Sequence, residues 1–154
     1  MFPYGGGVRL HAFGRAHIAN DGGEEVPLQP LAVAVLAYLV VAGPSDRDHL
    51  ASLFWPNGKN ALNSLSTTLN RIRAQAPDSV WVRGNTLVGT DLASDFGDVR
   101  DAIDRSDFDL VTRLYTAPFL GNLRLRAQSV EFEEWVLEQR TTLATMVEVA
   151  LLQR

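Results

Sequence analysis

The sequence contains no cysteine, so disulfides, thiolate metal sites and cysteine nucleophiles are excluded from the start. It also lacks a long apolar run. The longest, Leu31 to Ala42, falls well short of the roughly 20 residues that span a bilayer, so no membrane partner is expected. The opening MFPYGGG has neither the basic nor the apolar region of a secretory leader, and a cytoplasmic location is the expectation.

The signatures of common enzymes are missing too. There is no HExxH and no GxSxG elbow, and the GGG at 5–7 leads into neither GxGxxG nor GK[ST], so it reads as a loose end. His11, His17 and His49 are scattered and read as structural or surface residues. Asp95, Asp98, Asp101, Asp104, Asp107 and Asp109 recur nearly every third residue. On a helix each such step rotates the carboxylate by about 60°, so the series reads as a solvated acidic face rather than a metal site. No enzyme activity, metal or cofactor is expected.

What is present is an ordinary globular composition: 154 residues, 46% apolar and 21% charged, enough for a substantial core. The net charge of −4 is unevenly spread. Residues 1–90 carry seven Lys/Arg against six Asp/Glu, whereas residues 91–154 carry seven Arg against twelve acids. Between 55 and 90 the bases Lys59, Arg71, Arg73 and Arg83 face a single acid, Asp78. The shift in charge suggests a boundary near residue 91, giving units 1–90 and 91–154.

The stretch NALNSLSTTLNRIR, residues 60–73, is the most informative. Leu62, Leu65, Leu69 and Ile72 follow helical spacing and predict a core-facing stripe. The opposite side presents Asn60, Asn63, Ser64, Thr67, Asn70 and Arg71. Hydroxyls and amides are indifferent helix formers, and a merely solvated face usually carries Lys and Glu.

The flanking elements give that face a context. Val8–Phe13 and Arg15–Ile18 read as strands, with the turn Asn20–Gly23 before a short strand near Val26. Pro30 opens a helix over Leu31–Ala42 that is apolar nearly all round and belongs in a core. Gly43-Pro44 ends it, and Ser45 is a candidate cap for a second helix carrying Leu50, Leu53 and Phe54. After the turn Trp55–Gly58 comes the polar-faced helix, then Val80-Trp81-Val82 and Thr86-Leu87-Val88 around Arg83-Gly84-Asn85, a hairpin pattern. This order predicts a helix-turn-helix followed by a wing, with the helix at 60–73 reading double-stranded DNA.

Downstream, Asp95–Arg105 and Phe108–Tyr115 suit short helices. Ser129 can cap a long one with Phe132, Val136, Leu143, Val147 and Ala150 on one stripe. The chain then stops at Leu151–Arg154 with neither a glycine cap nor a polar tail, which reads as a cut through a larger architecture. The fold class expected is mainly α with a small β-sheet.

The stretches LQPLAVAVLAYLVVAGPSDRDHLASLFWP (28–56), ALNSLSTTLNRIR (61–73), YTAPFLGNL (115–123) and EFEEWVLEQRTTL (131–143) resemble, in order, the bacterial transcriptional activators of the antibiotic-regulatory-protein type. That resemblance implies an OmpR-like winged helix over 1–90 and, over 91–154, the first helices of a tetratricopeptide-like bacterial transcriptional activator domain. It also implies promoter DNA and RNA polymerase as partners. A homodimer is left open.

The DNA-contacting set expected is Lys59, Asn60, Asn63, Ser64, Thr67, Asn70, Arg71, Arg73 and Arg83. Lys59 and Arg71 are natural phosphate contacts. Arg73 lies nearer the leucine flank, where a structural ion pair competes with a phosphate contact. Arg83 at the hairpin either meets a phosphate or the minor groove, or is an idle turn residue. The contrasting reading is a protein-interaction module whose winged helix no longer reads DNA, kept open by the neutral middle of the helix.

Overall fold

The computed structural model describes residues 7–124 and 129–153. The first two glycines of GGG, read above as part of a loose end, lie outside the described residues.

Three strands open the fold: β1 (Val8–His11), β2 (His17–Asn20) and β3 (Glu25–Val26), joined antiparallel in that order. β1 ends two residues earlier, and β2 starts two residues later, than the sequence suggests. The reason is local. Gly14 takes φ +80°, which turns the chain, and Phe13 bridges to Phe119 instead of extending the hairpin.

α1 (Pro30–Ala42) is buried without interruption from Ala32 to Leu39, as a helix apolar on all sides must be. β4 (Ser45–Asp46) and α2 (Arg47–Phe54) follow. Here the expectation for Ser45 is corrected: it does not cap α2. Ser45 pairs with Val88 in a sheet, its hydroxyl donates to Gly43 O at 2.9 Å, and Asp46 occupies the cap position. The free donor at the start of α2, Arg47 N–H, is satisfied by Thr86 O at 2.7 Å.

α3 (Ala61–Gln75) contains the stretch expected at 60–73, with Asn60 at its cap position. It buries Leu65, Thr68, Leu69 and Ile72. Leu62 departs from expectation, being 47% exposed. Its rotation about the axis is correct, within about 20° of Leu69. It is equally close, about 20°, to the exposed Arg73, so it lies at the edge of the buried stripe, while Ala61 in the same turn packs on the core.

β5 (Trp81–Arg83) and β6 (Leu87–Gly89) form the hairpin, and β4 adds on the other side of β6. Gly84 and Asn85 both take φ near +60° (60° and 63°), the mirror-image turn that matches the twist of a hairpin.

β7 (Ala93–Ser94) then returns to pair parallel with β1, completing a sheet in the order β3-β2-β1-β7. α4 (Asp95–Asp104), α5 (Phe108–Leu114) and α6 (Val130–Leu151) follow. Their caps are side chains: Ser94 accepts from Gly97 N–H, Asp107 from Leu110 N–H and Ser129 from Phe132 N–H. The acidic series is therefore only partly a solvated face. Asp95 accepts from Ala12 and Phe13 N–H at 2.7 and 3.3 Å, Asp98 pairs with Arg9, and Asp107 is a cap.

Residues on both sides of position 91 share one apolar core, from Leu10 and Leu36 to Phe132 and Val147. The change in charge at 91 thus coincides with no gap in packing. Among the described residues the chain is mixed α/β, with six helices and two small sheets. None of these helices is long and apolar enough to cross a membrane.

Candidate nucleic-acid interface

The site is built on α2, the turn after it, α3 and the β5–β6 hairpin. This is the order and packing of a winged helix-turn-helix. α2 packs on α3, and Leu50, Leu53, Leu65 and Leu69 of the two helices are buried in the same core. Leucine at three- and four-residue spacing fixes which side of α3 turns inward, and with it which side turns out.

The outward side is the one the sequence indicates. Lys59, Asn60, Asn63, Thr67, Asn70 and Arg71 are exposed, and Ser64 is half-buried. With Thr67 as its centre, this face holds Asn60, Asn63, Ser64, Asn70 and Arg71 within about 60° of rotation. No carboxylate lies anywhere on α3.

Two expected residues stand apart. Arg73 lies about 120° from Thr67, on the flank that also holds Ser66. Of the two roles weighed for it, the ion pair is not found among the described residues; its Nη1 donates to Asn70 Oδ1 at 3.2 Å. Arg83 sits at the end of β5, its guanidinium carbon 4.3 Å from the Trp81 ring centroid. Trp81 in turn lies across Gly89 of the neighbouring strand, where a Cβ would fall 2.2 Å from the indole. Only glycine at 89 lets the indole lie there and hold Arg83.

One residue escapes the sequence reading. Arg47 connects all three parts: its backbone N–H bonds to Thr86 O in the hairpin, and its Nη2 donates to Ser66 Oγ on α3. A signal for it exists. An arginine at the first position of a helix opposes the helix dipole, and such a placement asks for another reason. The guanidinium bond to α3 supplies one, since with the backbone bond to Thr86 it ties α3 and the hairpin to the start of α2.

No family model and no curated protein matches this sequence. Among solved structures the chain is similar to Mycobacterium tuberculosis EmbR, determined in complex with a low-affinity phosphopeptide. The TM-score is 0.68 at 19% identity, with 93% of this chain and 43% of that chain covered. At this identity the likeness establishes the fold, and the chain spans less than half the length of the EmbR chain.

Proposed function

We propose that this chain is a sequence-specific DNA-binding transcriptional regulator of the activator type. In this reading residues 1–90 form an OmpR-like winged helix, and residues 91–154 begin a tetratricopeptide-like bacterial transcriptional activator domain. The observation that carries it is the outward face of α3: amides, hydroxyls and Arg71, free of acids, on a helix joined to a hairpin ending in Arg83. Amides and hydroxyls hydrogen-bond base edges in the major groove, and arginine and lysine neutralise phosphates. A glutamate-rich face would repel the same duplex.

Asn63 and Thr67 take base edges at the centre of the face, with Asn60, Ser64 and Asn70 around them. Lys59, Arg71, Arg73 and Arg83 take phosphates, Arg83 entering from the wing. Promoter DNA is then held by the first unit. Contact with RNA polymerase follows from the family resemblance.

A second reading has its own support. The middle of the α3 face is uncharged, and residues 91–154 carry twelve acids. A protein-interaction module fits those two facts. A polarisation titration against duplex DNA from upstream of the coding sequence separates the readings. DNA binding predicts that log affinity falls linearly with log salt, by about 0.9 per phosphate contact, and that Lys59→Ala and Arg83→Ala each remove about one contact's worth of slope. Affinity indifferent to salt, or none at low salt, favours the interaction module.

A further inference from the structure

The flank of α3 that runs from Arg71 toward its C-terminal end faces the start of α1 across a depression of about 340 Å³. Leu31, Ala32, Thr68, Arg71 and Gln75 line it, and among the described residues no acid does. Three features meet there.

The first is an uncapped helix end. No side-chain bond from Gln29 reaches the N–H groups of α1, and its first turn holds no acid. Pro30 has no N–H to offer, so the donors at this end belong to Leu31 and Ala32, both lining residues. A 13-residue helix also brings about half a positive charge to that point.

The second is Thr68, only 8% exposed, whose hydroxyl has no hydrogen-bond partner among the described residues. Its oxygen is not among the buried atoms, so the hydroxyl is open at the depression that Thr68 lines and is free to donate to a group bound there. The third is Arg71, exposed and without a carboxylate partner among the described residues.

Helix N–H donors, a hydroxyl and a guanidinium are the donor set of an anion site. A water occupies about 30 Å³ of liquid, so the space admits a phosphate group with part of its hydration. Position indicates the source. Arg71 and Gln75 lie about 40° and 80° around α3 from Thr67, so the depression borders the face assigned to the major groove. A helix in that groove has a phosphate backbone along each edge.

We infer that this depression is a binding site for a phosphate of the DNA backbone, shared by the α1 N-terminus, Thr68 and Arg71. The inference rests on the DNA reading above and adds α1 to the interface. Gln29→Asp covers the N–H groups with a carboxylate cap, and Thr68→Val removes the hydroxyl at nearly constant shape.

In a polarisation titration of a labelled duplex across a KCl series, Gln29→Asp flattens the salt slope by about 0.9. It weakens binding about tenfold at moderate salt, while its melting temperature holds or rises because Asp is a preferred cap. Thr68→Val weakens binding several-fold with little change of slope. Gln29→Asp combined with Arg71→Ala flattens the slope by one contact only, since both act on the same phosphate. A loss of two contacts in the double variant, or a wild-type slope in Gln29→Asp, overturns the proposal.

A wild-type chain that binds no duplex at low salt defeats the DNA reading and, with it, the backbone as the source of the phosphate. Inorganic phosphate then tests the anion site alone. A rise in melting temperature that Gln29→Asp abolishes supports the site, and equal shifts in both proteins reject it.

Discussion

α3 and α6 obey one rule on the inside and opposite rules on the outside. α3 buries Leu65, Leu69 and Ile72, and α6 buries Phe132, Val136, Leu143, Val147 and Ala150, each as a single stripe. Outward, α3 shows amides, hydroxyls and two arginines with no acid. α6 carries five glutamates, and its one arginine, Arg140, is spent on Phe119 O and Leu120 O at 2.7 and 2.9 Å. The inward stripes settle how the helices pack, and they are interchangeable in kind. The outward faces are not, and they separate a surface suited to a polyanion from one that repels it.

The inward half of the comparison is tested by truncation. Phe132→Ala is expected to cost about 3–5 kcal/mol and Leu69→Ala about 2–5 kcal/mol, because both side chains are about 1% exposed. Leu62→Ala has nearly the same rotation on α3 as Leu69→Ala but lies outside the core. Its cost is expected to be about 1 kcal/mol or less. Urea denaturation of the three variants measures all of this, and a Leu62→Ala cost equal to that of Leu69→Ala would mean that the first turn is covered after all.

The outward half is tested by charge. Thr67→Glu places a carboxylate at the centre of the α3 face and is expected to weaken duplex binding about tenfold or more at moderate salt. Its stability should move by less than about 0.5 kcal/mol, since Thr67 is exposed. Glu138→Gln on α6 is the counterpart and should leave duplex binding unchanged. Equal binding by Thr67→Glu and the wild type removes α3 from the groove.

The contrast between the two helices was readable from the sequence because both depend on periodicity. Leu65 and Leu69 had to point inward, so Thr67 had to point outward. Pro30, Gly43 and Ser129 marked their helix boundaries by backbone chemistry alone. What was not legible was tertiary. β7 is two residues long, too short for any alternation to betray it, yet it joins the segment after 91 to the first strand. Ser45 has a capping residue's chemistry and is taken by a sheet instead. Leu62 shows that period gives a direction for the stripe and does not fix its width. Arg47 becomes informative only once the hairpin and α3 stand beside it. The acids after 91 looked like a solvated face because a sequence does not show that Asp95 holds the backbone of the first strand's end.

The smallest effect expected concerns the sheet that joins the two regions. His11 and His17 face each other across β1 and β2, their rings stacked at 4.7 Å. Burial holds the His11 pKa below its ordinary value, the neighbouring His17 and Arg9 lower it further, and Asp95 works the other way. A histidine whose pKa is lower when folded than when unfolded takes up protons more readily in the unfolded chain. Stability from His11 is therefore fully present above its unfolded pKa of about 6.5 and is lost as pH falls through the lowered folded value. The expected result is a decline in melting temperature between pH 7.5 and 5.0. Glu25, whose pKa is also held low by its bond to Arg15, loses its contribution only further down, as pH falls below the ordinary carboxylate range. His17→Gln removes one of the charges that depress His11 and should shrink the decline. Thermal melts at pH 7.5, 6.5 and 5.0 for both proteins make the comparison, and a decline as steep in His17→Gln as in the wild type would place the pH-sensitive group elsewhere.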